Sequence, residues 1–86
     1  MHDLLAAQDI VRAAVQTAEK NKLTKITQVI IRLGKIVEHN EELSPENLRF
    51  NFGLISKNTI AEGADLVIQK GTGRELSVIE VRGAQT

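Results

Sequence analysis

The chain has 86 residues, a length that fits one domain, and its 11 basic and 11 acidic residues cancel, so the basic face of a duplex DNA binder is not expected. Phe50 and Phe52 are its only aromatic residues, which leaves almost nothing for stacking on single-stranded nucleic acid, and the absence of cysteine removes disulfides, thiolate catalysis and every cysteine-based metal site. No apolar run approaches the roughly 20 residues of a membrane span, and the start Met1-His2-Asp3-Leu4-Leu5 lacks the basic region and long apolar run of a signal peptide, so the expectation is a cytoplasmic protein with neither nucleic acid nor membrane as partner.

Asp3 to Lys20 reads as a helix. Leu4, Ala7, Ile10, Val11, Ala14, Val15 and Ala18 fall in one stripe, with Asp9, Arg12, Gln16 and Glu19 opposite. Asp3 in the first turn and Lys20 in the last suit the helix dipole. Lys25 to Gly34 reads as a first strand, in which Val29, Ile31 and Leu33 alternate with Gln28, Ile30 and Arg32; Ile30 implies that the second face is partly covered. Lys35 to Leu43 loses all periodicity and reads as a solvated acidic loop.

Ser44 is a good N-cap, Pro45 fits the first helical position and Glu46 favours the positive helix end. Leu43 and Leu48 are spaced as a hydrophobic staple. The second helix is expected from Pro45 to about Lys57, with Leu48, Phe52 and Ile55 facing inward and Phe50 under a loop or at an interface. Ala64 to Lys70 reads as a second strand and Glu75 to Arg82 as a third. The alternation of the third slips between Val78 and Ile79, which predicts a bulge or two part-buried faces. Gly71-Thr72-Gly73-Arg74 is expected as the turn of an antiparallel hairpin, and Gly83 to Thr86 as a frayed tail. The fold class is therefore α+β, in the order α-β-α-β-β, with two amphipathic helices on one face of a small three-stranded mixed sheet. The first and second strands, joined by a helical crossover, are expected to be parallel or mixed.

An enzyme finds little to work with in this chain. Ser44, Ser56 and Ser77 stand in no nucleophile-elbow pattern, and Gly71-Thr72-Gly73 lacks the lysine and helix of a phosphate loop. The N-terminus is more suggestive. The Met1 amine, the His2 amide and the His2 imidazole can close two chelate rings around one metal ion, and the Asp3 amide can supply a fourth nitrogen, with the Asp3 carboxylate nearby. Four nitrogens in a plane suit Ni(II) or Cu(II), and copper is favoured at equilibrium. The first N–H groups of a helix have no intrahelical partner, so their use as ligands breaks no helical hydrogen bond. The alternative is a solvent-exposed terminal histidine with no role. His39, beside Glu38, Glu41 and Glu42, is an auxiliary ligand candidate or part of a solvated charged loop.

The start Met1-His2-Asp3-Leu4 before an apolar helix resembles the HypA/HybF nickel metallochaperones of hydrogenase maturation. So do the strand from Lys25 to Gly34, the helix Pro45-Glu46-Asn47-Leu48-Arg49-Phe50-Asn51-Phe52, the stretch Thr59-Ile60-Ala61-Glu62-Gly63-Ala64-Asp65-Leu66 and the ending from Gly73 to Val81. The resemblance implies a nickel donor, residues 1–86 forming one nickel-binding-type domain, with Met1, His2 and Asp3 as metal residues. A nickel-handling GTPase and the large subunit of a nickel enzyme are the implied partners. The family carries a zinc module with two CxxC pairs between its last two strands. Here Gly71 to Arg74 bridges that gap, so neither the module nor zinc is expected. The family's usual Met-His-Glu start has Asp3 in place of the glutamate, and the loop between Gly34 and Pro45 is longer than usual. A metal-independent interaction module that kept the fold is the alternative function, with an exposed apolar patch near the third strand or Phe50 as its signature.

Overall fold

The computed structural model describes residues 2–35, 37–38 and 41–85, with the backbone alone for residues 2, 3, 37, 38, 41 and 42. The elements run α1 (His2–Lys20), β1 (Lys25–Leu33), β2 (Val37–Glu38), β3 (Glu41–Glu42), α2 (Pro45–Ile55), β4 (Asp65–Lys70) and β5 (Leu76–Ala84). The two helices pack on each other and on one face of a mixed sheet of β4, β1 and β5. This is the α+β arrangement expected from the sequence.

The apolar stripe of α1 is its buried face: Ala7, Ile10, Val11, Ala14 and Ala18 are buried, while Leu5, outside the stripe, is exposed. The helix stops in a Schellman turn. The Leu23 N–H donates to the Ala18 carbonyl (2.8 Å) and the Lys22 N–H to Glu19 (3.1 Å), with Lys22 left-handed at φ 58°. Leu23 then packs onto the core. In α2, Ser44 is the N-cap in extended conformation and its Oγ accepts from the Asn47 N–H (3.4 Å). Leu48 and Phe52 are buried, and Ile55 and Leu43 pack against the same cluster. The helix ends at Ile55, two residues before the expected Lys57, because Ser56 becomes its C-cap; the Ser56 carbonyl then accepts from Thr59 Oγ1 (2.6 Å). Phe50 lies under no loop: it is 67% exposed.

β1 is the central strand. It pairs parallel with β4 (Gln28↔Asp65 to Leu33↔Lys70) and antiparallel with β5 (Lys25↔Ala84 to Leu33↔Leu76). Val29, Ile31 and Leu33 enter the helix-side core, whereas Ile30 lies on the other face, flanked by its register partners Val67 and Glu80. Ile30 is only 9% exposed, so the second face is indeed covered at that point. The register steps from Ile30↔Glu80 to Ile31↔Val78 and leaves Ile79 as the extra residue of a bulge. The slip read between Val78 and Ile79 is that bulge.

Three expectations need correction. The last two strands do not form a hairpin across 71–74, because β4 and β5 lie on opposite sides of β1. The connection instead crosses the end of β1 as a strap. The Gly71 N–H donates to the Leu33 carbonyl (2.8 Å), the Lys35 N–H to Gly73 (2.9 Å) and the Gly34 N–H to Glu75 (2.9 Å). Gly34 is needed there, since a Cβ would stand 2.2 Å from the Gly73 oxygen. Second, the acidic loop contains the antiparallel β2–β3 pair, Val37↔Glu42 and Glu38↔Glu41. Third, Gly83 and Ala84 are part of β5 rather than a frayed tail, and the Ala84 carbonyl accepts from the Thr24 N–H (2.9 Å).

Candidate metal centre

The chain directions bring both helix N-termini to one pole. Asn21, just past α1, accepts through its carbonyl from Gln85 Nε2 (3.0 Å), and Thr24 bonds Ala84, so the end of α1, the start of β1 and the end of β5 share a pole. The start of α1 therefore lies at the opposite pole, with the end of β1 and the strap. The start of α2 is at that same pole: Pro45, Leu33, Gly34 and Gly71 line one cavity.

His2 and Asp3 are the first two residues of α1. Their backbone amides belong to the first turn, where N–H groups have no carbonyl four residues back to bond. The reading of the His2 and Asp3 amides as ligands thus finds a helix that leaves them unspent. Met1 lies outside the described residues, as does His39, which falls between β2 and β3. Among the described residues, no group of three or more His, Cys, Asp or Glu side chains is placed to hold a metal ion.

Thr59 to Leu66, the stretch with the most recognisable pattern, turns out to be structural. Thr59 Oγ1 accepts from the Ala61 N–H (3.0 Å), and the Ile60 carbonyl accepts from the Ile26 N–H (2.8 Å). Ala61 is fully buried, Gly63 has φ 79° and Leu66 closes the core. The segment anchors the start of β4 to β1, at the pole away from His2. On the helix-free face, Glu80 and Arg82 pair, and the Glu80 carboxylate raises the Arg82 pKa through the hydrogen bond and its charge. Sequence reading missed a convergence of Lys35, Arg49 and Lys70 around one cavity at the strap pole. They come from three separate segments, and no spacing announces them.

Among the described residues, no helix is long and apolar enough to cross a membrane. A family model described as "Hydrogenase/urease nickel incorporation, metallochaperone, hypA" matches residues 1–77. Relatives named hydrogenase maturation factor HypA include one from Methanobrevibacter smithii, 41% identical over 70 residues, and one from Archaeoglobus fulgidus, 37% identical over 89 residues. The alignments take in 81% and 94% of this chain, but 53% and 77% of those relatives. A third, from Caldanaerobacter subterraneus, is 36% identical with 57% of its length covered, so the chain spans little more than half the length of several curated relatives it matches. The solution structure of the Ni metallochaperone HypA from Helicobacter pylori superposes with a TM-score of 0.77 over 98% of each chain at 9% identity, which shows a shared fold. These names describe maturation factors and a metallochaperone, none a catalyst.

Proposed function

Because the chain belongs to the HypA family of hydrogenase/urease nickel-incorporation proteins, we propose that it is a nickel-binding metallochaperone-like protein that serves the maturation of a nickel enzyme in the cytoplasm. The nickel is cargo, held by the Met1 amine, the amides of His2 and Asp3 and the His2 imidazole. One observation carries this reading: α1 begins at His2, so the two amides required fall in the turn whose N–H groups the helix does not use. Two deprotonated amides outweigh the half positive charge of the helix end. A nickel-handling GTPase and the large subunit of the client enzyme are the partners this reading calls for. With no cysteine in the chain, nickel rather than zinc is the expected metal.

Equilibrium dialysis against Ni(II) tests the reading with three proteins. The chain with a free Met1 amine is expected to bind one ion. His2→Ala and the chain with its Met1 amine acetylated are each expected to lose that ion, since each removes a ligand and its chelate ring. Equal binding by all three refutes the site. A second reading, a metal-independent interaction module, is favoured by Phe50 (67% exposed) and Leu54 (47%), one turn apart on the outer face of α2. A chain that binds no nickel with its terminus intact leaves that reading standing.

A further inference from the structure

At the strap pole, Leu33 at the end of β1 and Lys35 after it, Leu43 and Arg49 on either side of the start of α2, and Ile68 and Lys70 in β4 line a cavity of about 610 Å³. It opens outside the carboxyl ends of two parallel strands, the side on which open α/β sheets hold ligands, and its volume is within the range of binding sites. Among the described residues, no carboxylate pairs with its three cations and no acidic side chain lines it. Among the described side chains the lining is therefore cationic, although the whole chain has no net charge. Arg49 is held in place, with its Nε donating to the Leu66 carbonyl (3.3 Å), which leaves its terminal nitrogens to point elsewhere.

The backbone decides what kind of anion fits. A phosphate at a helix N-terminus or in a loop nest is gripped by several free N–H groups. Here the N–H groups of Gly34, Lys35 and Gly71 are spent on the strap, that of Asn47 on Ser44 Oγ, and Pro45 has none, so the first turn of α2 offers the Glu46 N–H alone, beside that residue's own carboxylate. Recognition falls to three separated side-chain charges above an apolar floor of Leu33, Leu43 and Ile68. Spaced carboxylates with an aliphatic group between them match that arrangement, and a compact phosphate does not. We propose that this cavity binds an acidic polypeptide segment of a partner protein, its carboxylates on Lys35, Arg49 and Lys70 and an aliphatic side chain on the apolar floor. The site stands whether or not the N-terminus binds nickel.

The test is an NMR titration of the isotope-labelled full chain with a short blocked peptide of alternating glutamate and leucine. The lysine-and-leucine peptide and inorganic phosphate are titrated in parallel. Saturable shifts are expected at residues 33–35, 43–49 and 68–71, weakening with salt. Affinity is expected to fall about tenfold in Arg49→Gln and again in the exposed double variant Lys35→Gln/Lys70→Gln, with resonances distant from the cavity unmoved. The basic peptide is expected to leave the spectrum unchanged. Absence of saturable shifts, shifts centred elsewhere, or undiminished binding by both variants overturns the proposal. Phosphate that saturates the same resonances at concentrations as low as the peptide overturns the choice of a polypeptide.

Discussion

Lys22 does the work usually given to glycine. It stands left-handed at φ 58° in the turn that ends α1, a conformation that costs a non-glycine residue about 1–2 kcal/mol. Lys22→Gly removes that cost, partly offset by the extra freedom of glycine in the unfolded chain. The expected net gain is about 1 kcal/mol, read as a Tm increase of about 4–8 °C by calorimetry. The sequence marked the end of the helix, through Lys20 in its last turn, but not this cap, since lysine has no preference for such turns. Gly34 is the opposite case. A glycine at the end of β1 was legible as a stop, but its purpose was not, because the strap oxygen that a Cβ would strike comes from Gly73. That oxygen is backbone and cannot swing away. Gly34→Ala is expected to destabilise by about 3 kcal/mol in urea unfolding, and a change under 0.5 kcal/mol would mean that the strap does not hug β1.

At the scale of elements, α2 was read almost completely. Its cap, its first-turn proline and its buried stripe are local signals, and each is where the pattern put it. The stripe makes a paired prediction from two phenylalanines two residues apart. Phe52→Ala empties a core site and is expected to cost about 3–5 kcal/mol, whereas Phe50→Ala, at an exposed position, is expected to stay within about 0.5 kcal/mol. Similar costs for the two would displace the helix from its assigned face. Strand pairing was read less well. Periodicity identifies which residues form a strand but not which strand lies beside it, and a four-residue connection looks like a hairpin loop. A clue to the actual order was present in Val29-Ile30-Ile31. An unbroken apolar run marks a strand covered on both faces, and that strand is β1, at the centre. The bulge at Ile79 was legible because an inserted residue shifts the alternation itself.

For the molecule as a whole, both proposed sites lie at one pole. The first turn of α1, the first turn of α2, the ends of β1 and β4 and the strap all meet there, while the segment Thr59–Leu66 secures the other side of the fold. The proposed metal residues were legible because they are consecutive and terminal, so their chelate geometry needs no tertiary structure. Lys35, Arg49 and Lys70 were not, because only the crossover through α2 brings them together. The terminal site also makes a pH prediction. Its amine, imidazole and amide nitrogens must all lose protons to bind, so nickel affinity is expected to fall as pH drops through about 8 to 6. Binding that is flat across that window would point to carboxylate ligands instead. The most direct measurement is the visible absorption and magnetism of the chain titrated with Ni(II), its free Met1 amine verified by mass spectrometry. A yellow, diamagnetic one-to-one complex that vanishes in His2→Ala is the predicted result; a paramagnetic complex, or one that survives His2→Ala unchanged, contradicts a planar nitrogen site at the N-terminus.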